Sequence, residues 1–485
     1  WSSDVCSSDL NRAWYTDFWS MRYTDWTQIE PPSPSGQMSN LSLLLDWRRF
    51  STFQCKDWIE MEKAAVKSAD PSLPCTTNLM ERFWDYDYFS LSEALDFVSW
   101  DSYPPWTGGD DEAVACEFAM NHDMMRSFKQ QPFVLMESTP SNVNWKEVNK
   151  LKRPGMHLLS SMQAVAHGSQ SVMYFQWRQG RGNVEMFHGA VVSHNGRSDT
   201  RVFLDVTEVG KTLECLERLD PTLYDTPPGR APVCILYDWD SRWAVEYAQT
   251  GLMGRMDYHG TVMDHYHAFW RRGIGVDFRD LREQTDLSGY RLVIAPQLFL
   301  FRNRIEEKLR DYVASGGTLV MTYFSGIVDE TCQAFLSDAP HGLTDVFGMR
   351  ETEMDALYPD EHNEALRTDG IRYRLSGICS LLQTDGADVI ARYASDFYAG
   401  TPVITKHAFG QGSAWYLGAR MDRAGLDCLY DEIASSLGLT PICDLPYGVT
   451  AHRRGNLLFL ENYAGKDELI RLPGGMQPLE DRKST

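Results

Sequence analysis

Four polar side chains follow apolar runs at points where short strands are predicted to end: Asn78, Asp101, Glu137 and Gln176. The carboxyl ends of parallel strands meet on one face of a sheet, so these side chains are expected to converge. Glu137 follows the run FVLM, and an ionised carboxylate in that position is costly unless it faces a cleft or has partners. Taken alone, Glu137 is equally compatible with a cap or salt bridge at the strand end.

Aromatic residues close to this carboxylate in the sequence favour the cleft. Tyr103 lies just after Asp101, and Trp145 lies eight residues after Glu137. Three further tryptophans are expected near the same face: Trp100, Trp106 and Trp177. Rings surrounding carboxylates and amides suit a neutral sugar, which stacks through its C–H face and hydrogen-bonds through its hydroxyls.

Composition sets the class of protein that must position these groups. With 485 residues, 43% of them hydrophobic and 12% aromatic, the chain has material for two to four folded domains. Its 46 Lys and Arg against 67 Asp and Glu give a net charge of −21, which opposes nucleic-acid and anionic-membrane partners. No apolar run approaches the roughly 18 residues that a membrane helix requires.

The cysteines indicate the cellular location of the protein, and the first ten residues raise the question of whether the start of the chain is native. Ten cysteines are scattered without a CxxC pair, which predicts buried free thiols rather than disulfides. A cytoplasmic location is the resulting expectation. Residues 1–10 (WSSDVCSSDL) show neither helical nor strand periodicity, and we expect a non-native, adapter-derived segment there. A disordered native loop is the alternative.

Residues 11–225 show a strand–helix rhythm. Residues 40–69, 111–129 and 153–167 have helical spacing of apolar residues, and strands are predicted at 75–80, 94–103, 131–137 and 171–178. Alternating strands and helices indicate parallel strands with helical crossovers, as in a (β/α)₈ barrel. Four such strands are visible, so the segment is expected to be the C-terminal half of a TIM barrel.

A second α/β region is predicted over residues 230–442, after the Pro-Gly hinge at 226–229. Its predicted strands are 233–237, 290–295 and 318–323, with a charged helix at 302–314 between the last two. Residues 443–485 are expected to be a truncated C-terminal β-domain, with hairpin strands at 457–460 and 469–472.

Several motifs together resemble the glycoside hydrolase family 42 β-galactosidases. They are FVLMESTPSNVNW at 133–145, WDSYPPW at 100–106, TTNLM at 76–80, YFQWRQGRGNVEMFHGAVVSH at 174–194, FWSMRYTDWTQI at 18–29 and LDWRRF at 45–50. The similarity runs in order through nearly the whole chain. It implies a TIM barrel followed by an amidotransferase-like α/β domain with which family members assemble trimers.

The resemblance assigns roles position by position. Glu137 matches the catalytic nucleophile, Trp145 the galactose-stacking tryptophan, and Glu185 and His188 the pair that binds sugar hydroxyls. Tyr103 is expected to hydrogen-bond near the nucleophile. The implied reaction is hydrolysis of terminal β-D-galactosides by a retaining glycosidase with no organic cofactor. The galactoside and a homotrimer of this chain are the implied partners.

One part of the family pattern has no counterpart here. The family's general acid/base is a glutamate after an asparagine, and that segment would lie upstream of Asn11. The chain by itself is therefore expected to be catalytically incomplete. The cysteine cluster that binds zinc in some family members would also lie largely upstream, so no metal is assigned.

Three other functions share some of these sequence features. An α-L-arabinopyranosidase of the same family differs only in the substrate's missing hydroxymethyl group. A non-catalytic binding or oligomerisation homologue is the second. A glutamine amidotransferase is the third, but it requires a nucleophilic cysteine in the turn after strand 318–323, where Phe324–Ser325–Gly326–Ile327 supplies none.

Overall fold

The structure is a computed structural model that describes residues 7–33, 39–81, 83, 85–248 and 256–477. The chain begins with helix α1 (Ser7–Ala13) and two short 3₁₀ turns (Phe18–Ser20 and Trp26–Gln28). Residues 1–6 lie outside the described part. The expectation of no regular structure is wrong for Ser7–Leu10, because buried Leu10 anchors this helix and Trp14, just after it, hydrogen-bonds to Asp46 at 2.8 Å.

The first sheet has four parallel strands in the order β1-β2-β3-β4, half the number in a (β/α)₈ barrel. Its strands are β1 (Asn78–Leu79), β2 (Ser99–Asp101), β3 (Phe133–Glu137) and β4 (Ser169–Val172). The helices around it are α2 (Leu41–Ala69), α3 (Tyr88–Ala94), α4 (Asp111–Lys129), α5 (Met156–Ala166) and α6 (Arg201–Leu219). The predicted barrel rhythm is confirmed.

Side-chain caps fix where the barrel helices begin. Asn40, Asp87, Asp110 and Thr200 each accept a hydrogen bond from a backbone N–H in the first turn of the following helix. Such caps satisfy donors that the helix leaves unpaired. Two of these caps fix where the loop from β2 to α4 and the loop from β4 to α6 end, and both loops carry residues of the candidate site.

The second sheet has eleven strands in the order β15-β11-β10-β12-β13-β14-β8-β7-β5-β6, with β9 paired to β11. Its strands are β5 (Val233–Leu236), β6 (Val276–Arg279), β7 (Leu292–Ala295), β8 (Thr318–Thr322), β9 (Met349–Ala356), β10 (Asn363–Arg367), β11 (Arg372–Thr384), β12 (Asp388–Tyr393), β13 (Pro402–Phe409), β14 (Gly412–Leu417) and β15 (Ala419–Met421). The associated helices are α7 (Trp239–Ala248), α8 (Tyr258–Trp270), α9 (Ile305–Ala314), α10 (Thr344–Phe347) and α11 (Arg423–Ser436).

Sequence patterning predicted three fully buried strands of this sheet and missed the other eight, most of which are partly exposed. Strands β5, β7 and β8 are buried at every position and stand out as apolar runs. The antiparallel strands β9 to β13 carry charged residues on an exposed face, and that pattern resembles surface loops.

A two-stranded antiparallel hairpin, β16 (Val449–Arg454) and β17 (Leu457–Asn462), follows the second sheet. The predicted pairing of 457–460 with 469–472 is wrong, because residues 469–472 form no strand and the partner of β17 precedes it. Gly455 lies in the connecting turn with φ +56°, in the left-handed region that glycine adopts readily.

Buried polar contacts hold the barrel against the second sheet. Arg126 of α4 donates to Asp277 of β6 at 2.6 Å, and Glu112 of α4 pairs with His267 of α8 at 2.6 Å. The ring of Trp106 stacks on Tyr463, just beyond the hairpin. Within the described residues, no helix is both long enough and apolar enough to cross a membrane.

Candidate active site

Glu137 is the last residue of β3, and its carboxylate is positioned by a phenol. Tyr103, in the loop after β2, donates its hydroxyl to Glu137 Oε2 at 2.6 Å. The backbone supports this geometry, because Ser102 N–H donates to the Glu137 carbonyl oxygen at 2.9 Å. Burial and the adjacent Glu137 raise the pKa of Tyr103 above its ordinary range, so the phenol stays protonated and donates.

A second carboxyl group lies beside Glu137. Asp101 ends β2, pairs in register with Glu137 and accepts a hydrogen bond from Asn78 Nδ2 at 2.6 Å. Burial raises the pKa of Asp101 to about 7; the Asn78 hydrogen bond opposes this rise, and the charges of Glu137 and Glu81 add to it. Burial and the neighbouring negative charges therefore favour the protonated form of Asp101 near neutral pH.

Aromatic rings border the carboxylate as expected. Trp145 meets Tyr103 edge to face at 4.9 Å between centroids, and His188 lies 5.2 Å from Trp145. Trp145 is half exposed, whereas His188 is fully buried between these rings and Phe175. Burial lowers the pKa of His188, which keeps the imidazole neutral near pH 7.

Two loops hold the imidazole and Glu185 in place. His188 Nδ1 lies 3.2 Å from the side-chain oxygen of Asn144, and Asn144 donates to the Val184 carbonyl at 2.7 Å. Glu185 is half-buried, and its carboxylate acts electrostatically on both Tyr103 and His188. The structure thus brings together the five predicted site residues, Glu137, Tyr103, Trp145, Glu185 and His188.

A close backbone approach joins the same two loops. Gly189 N–H donates to the Asn142 carbonyl at 2.8 Å, and a Cβ at Gly189 would lie 2.7 Å from that oxygen. Any larger residue at this position would push the loops apart. The glycine therefore fixes the distance between the Trp145 loop and the Glu185–His188 loop.

Some sequence expectations about this face are wrong. Trp100 and Trp106 are fully buried away from it: Trp100 packs on Phe118 and His122, and Trp106 stacks on Tyr463. Adjacent strand residues point to opposite faces, so Trp100 is directed away from the side that Asp101 occupies. Gln176 does not end a strand, because β4 stops at Val172.

Asn144 was not predicted to belong to the site, whereas Asn78 was expected on this face together with Asp101 and Glu137. Each amide holds a residue of the site by a hydrogen bond: Asn144 contacts His188, and Asn78 donates to Asp101. Asn78 had one signal, its place at the end of the predicted strand 75–80. Asn144 had none beyond its position next to Trp145.

The described cysteines do not form a zinc site. Nine free cysteines lie in the described part of the chain, and Cys116, Cys234 and Cys379 are buried, as expected for core thiols. None of these nine belongs to a group of three or more potential metal ligands. Within the described residues, one such group is formed by His167, His452 and Glu461.

The turn after β8 does not carry the nucleophile of an amidotransferase. Phe324 occupies it with φ +60°, followed by Ser325 and Gly326. A phenylalanine cannot act as the nucleophile that an amidotransferase requires. Cys332 lies eight residues farther on, and burial raises the pKa of its thiol to about 11.

Two family models match the sequence. A β-galactosidase model matches residues 6–216, and a β-galactosidase trimerisation-domain model matches residues 231–440. The two matches coincide with the four-stranded parallel sheet and with the eleven-stranded sheet.

Curated relatives and solved structures are similar along almost the whole chain. β-Galactosidase GalA of Bacillus licheniformis is 41% identical over 97% of this chain and 71% of its own length. β-Galactosidase BglY of Alicyclobacillus acidocaldarius is 44% identical over 91% of this chain and 64% of its own length. This chain thus spans roughly two thirds of these relatives.

The fold agrees with two solved structures. A β-galactosidase from Rahnella sp. R3 superposes with a TM-score of 0.93 at 44% identity, over 97% of this chain and 70% of that one. A catalytic Glu-to-Ala mutant of a family 42 β-galactosidase from G. stearothermophilus gives 0.89 at 42% identity, over 94% and 68%.

Proposed function

This chain belongs to the glycoside hydrolase family 42 β-galactosidases, and on that premise we propose that the whole protein hydrolyses terminal β-D-galactosides with retention at the anomeric carbon. The observation that carries the proposal is the position of Glu137. Its carboxylate ends a barrel strand, is oriented by the Tyr103 hydroxyl at 2.6 Å, and lies beside the half-exposed ring of Trp145. Catalytic groups of (β/α)₈ enzymes occupy this face.

In the proposed reaction Glu137 is the nucleophile. A carboxylate oxygen attacks the anomeric carbon while a separate carboxylic acid protonates the leaving oxygen, which gives a covalent galactosyl-enzyme. Water then attacks that carbon, the acid group acts as base, and Glu137 is released. The Tyr103 hydroxyl holds the carboxylate in line before attack and stabilises its charge when it leaves.

The loops beside Glu137 bind the sugar in this proposal. Trp145 offers an exposed indole face for the C–H surface of galactose. Glu185 accepts hydrogen bonds from sugar hydroxyls, and the neutral imidazole of His188 presents Nε2, which has no partner in the described structure.

Asp101 does not fit the role of the acid. Retaining glycosidases place their two carboxyl groups about 5–5.5 Å apart, on either side of the bond to be cleaved. Asp101 is paired in register with Glu137 on the neighbouring strand, is buried beside it, and accepts a hydrogen bond from Asn78. We therefore assign Asp101 to the buried surroundings of Glu137 rather than to protonating the leaving group.

The 485-residue chain is proposed to be inactive by itself. Within the described residues, β1 pairs only with β2 and β4 only with β3, so the barrel sheet has two unpaired edges. Helix α2 leaves Phe50 and Trp58, which lie next to β1, at least half exposed. Turnover by this chain that Glu137→Gln abolishes would overturn the proposal.

Residues 231–440 are proposed to assemble the protein as a homotrimer. The match to a trimerisation-domain model supports this, as does the absence of a nucleophile at Phe324. Sedimentation of the enzyme at micromolar concentration is expected to give a trimer. A monomer that is fully active would contradict it.

A cytoplasmic location completes the proposal. It is supported by the nine described cysteines, all of which are free. Disulfides are favoured in oxidising compartments and rare in the cytosol. Fractionation of the source cells, with activity followed in each fraction, tests this location.

The experiment that tests the proposed function compares two glutamine variants. Glu137→Gln is expected to abolish hydrolysis of an aryl β-D-galactoside, whereas Glu147→Gln, an exposed glutamate ten residues later, is expected to keep it. The first product anomer, observed by NMR, is expected to be β. Faster turnover of an aryl α-L-arabinopyranoside than of the galactoside would change the assigned substrate.

A further inference from the structure

Three potential metal ligands meet where the barrel contacts the C-terminal hairpin. His167 caps α5, His452 lies on β16 and Glu461 lies on β17. One ligand atom from each lies within 4.8 Å of the others. His452 pairs with Phe459 across the hairpin, and Glu461 is two residues farther along β17, so both side chains point to the same face.

The atoms that meet there lack other partners. His167 Nε2, His452 Nε2 and Glu461 Oε1 are all buried and make no hydrogen bond within the described structure. His167 is 2% exposed and Glu461 is 1% exposed. Buried polar atoms without partners are costly, and three of them converging on one point indicate a group that bonds to all three.

The surrounding residues orient these ligand atoms toward one point. Asp123 accepts a hydrogen bond from His167 Nδ1 at 3.0 Å, which leaves the Nε2 lone pair directed at the cluster. Asp123 is itself held by Tyr266 at 2.7 Å and by Arg126 at 3.1 Å. Metal-binding histidines characteristically donate their second nitrogen to a carboxylate in this way.

Hydrogen bonds to the second oxygen of Glu461 hold its carboxylate in place. Glu461 Oε2 accepts hydrogen bonds from Tyr463 at 3.0 Å and from Thr450 at 3.3 Å. Both donors are neutral, so a buried ionised Glu461 receives no cationic partner from them. The nearby Arg126 is already engaged by Asp123 and Asp277.

The geometry points to a divalent metal ion bound by His167, His452 and Glu461, and we propose that Zn²⁺ is the ion. Two imidazoles and a carboxylate are a ligand set that zinc prefers, with a fourth position left for water. Ligands of a tetrahedral zinc lie about 3.3 Å apart, so the side chains need to approach by up to about 1.5 Å. A cavity of about 460 Å³ lined by His167, His452 and Asp123 offers access.

Such an ion would act as a structural clamp. It would tie the end of α5 to both strands of the hairpin, whose other contacts to the barrel include Arg454 donating to the Val165 and Ser169 carbonyls at 2.6 and 2.7 Å. His167 lies just before the amino end of β4, whereas Glu137 lies at the carboxyl end of the parallel strand β3, so the site is at the opposite end of the barrel sheet from the proposed catalysis.

The first test is metal content. Untagged enzyme is stripped with a chelator, dialysed against Zn²⁺ and then against metal-free buffer, and analysed by plasma mass spectrometry. We expect at least one retained zinc per chain and a higher melting temperature than that of the stripped protein. X-ray absorption is expected to show imidazole and oxygen ligands. Absence of retained zinc, or coordination by sulfur only, would overturn the proposal.

The second test uses variants. His452→Gln and Glu461→Gln are expected to weaken zinc binding at least 100-fold and to remove the zinc-dependent rise in melting temperature, while the exposed His362→Gln retains both. Unchanged binding in folded His452→Gln would refute the assignment. If neither variant folds, Co²⁺ substitution in the unmodified protein decides: a visible band typical of tetrahedral coordination by nitrogen and oxygen is expected, and its absence contradicts the site.

Discussion

Tyr103 donates its hydroxyl to Glu137 Oε2 across 2.6 Å, although the two residues are 34 positions apart in the chain. The loop after β2 and the end of β3 are brought together by the parallel register that pairs Asp101 with Glu137. A carboxylate held by a protonated phenol has a fixed orientation and a stabilised charge, and both properties suit a nucleophile.

Removing this hydroxyl tests how much it contributes. Tyr103→Phe keeps the ring that packs on Trp145 and deletes only the hydrogen bond. A hydrogen bond to a charged group contributes about 1.5–3 kcal/mol, so kcat for an aryl galactoside should fall roughly 10- to 150-fold with KM little changed. An equal fall for Tyr86→Phe, whose ring packs on Phe83 instead, would show that the effect is not specific.

Stability should depend on pH through Asp101. Its pKa of about 7 in the folded protein lies above the ordinary value near 3.8, so the folded state binds the proton more tightly than the unfolded state. The resulting stabilisation is complete below about pH 4 and is lost as the pH rises through 7. As the pH rises from 5 to 8, the urea midpoint of the unmodified protein is therefore expected to fall relative to that of Asp101→Asn. Parallel pH curves for the two proteins would contradict this.

Trp145 and Trp177 form a matched pair of exposed indoles. Trp145 lies against Tyr103 beside the nucleophile, whereas Trp177 is 67% exposed in the loop after β4. Loss of a stacking surface worth about 0.5–1.5 kcal/mol should raise KM about 2- to 10-fold in Trp145→Ala. Trp177→Ala should leave KM nearly unchanged. A larger rise in KM in Trp177→Ala than in Trp145→Ala would indicate that the sugar binds at Trp177 instead.

The ion pair between the barrel and the second sheet should matter for stability. Arg126 and Asp277 are both buried, and removal of one partner leaves an uncompensated charge. Arg126→Met is expected to lower the free energy of unfolding by about 3–5 kcal/mol, seen as a lower urea midpoint. Arg197→Met breaks an exposed pair with Asp199 and should change the midpoint little. Equal shifts would show that burial of the pair is unimportant.

The sequence predicted the elements that contain long apolar runs and the site residues that lie in recognisable motifs. The strand ending at Glu137, the helix at 111–129 and the fully buried strands β5, β7 and β8 all follow from hydrophobic patterning. The five site residues came from motif resemblance, and the structure places them together.

The remaining features depend on tertiary contacts that local patterns do not contain. Trp106, like Trp145, follows the end of a predicted strand by a few residues, yet its ring stacks on Tyr463 of a distant segment. Likewise, His167 and His452 are 285 positions apart, and only the folded chain shows that they meet Glu461. A hairpin register depends on which strand is available as partner, and β17 pairs with the preceding segment.

The central claim is that Glu137 forms the covalent bond to the sugar. The most direct measurement is to trap the active enzyme that contains this chain with an activated 2-deoxy-2-fluoro-β-galactoside, and then to map the labelled peptide by mass spectrometry. One fluorogalactosyl group per chain is expected on Glu137, in the peptide that includes FVLMESTP. A label on Asp101 or Glu185, or complete inactivation with no covalent label, would contradict it.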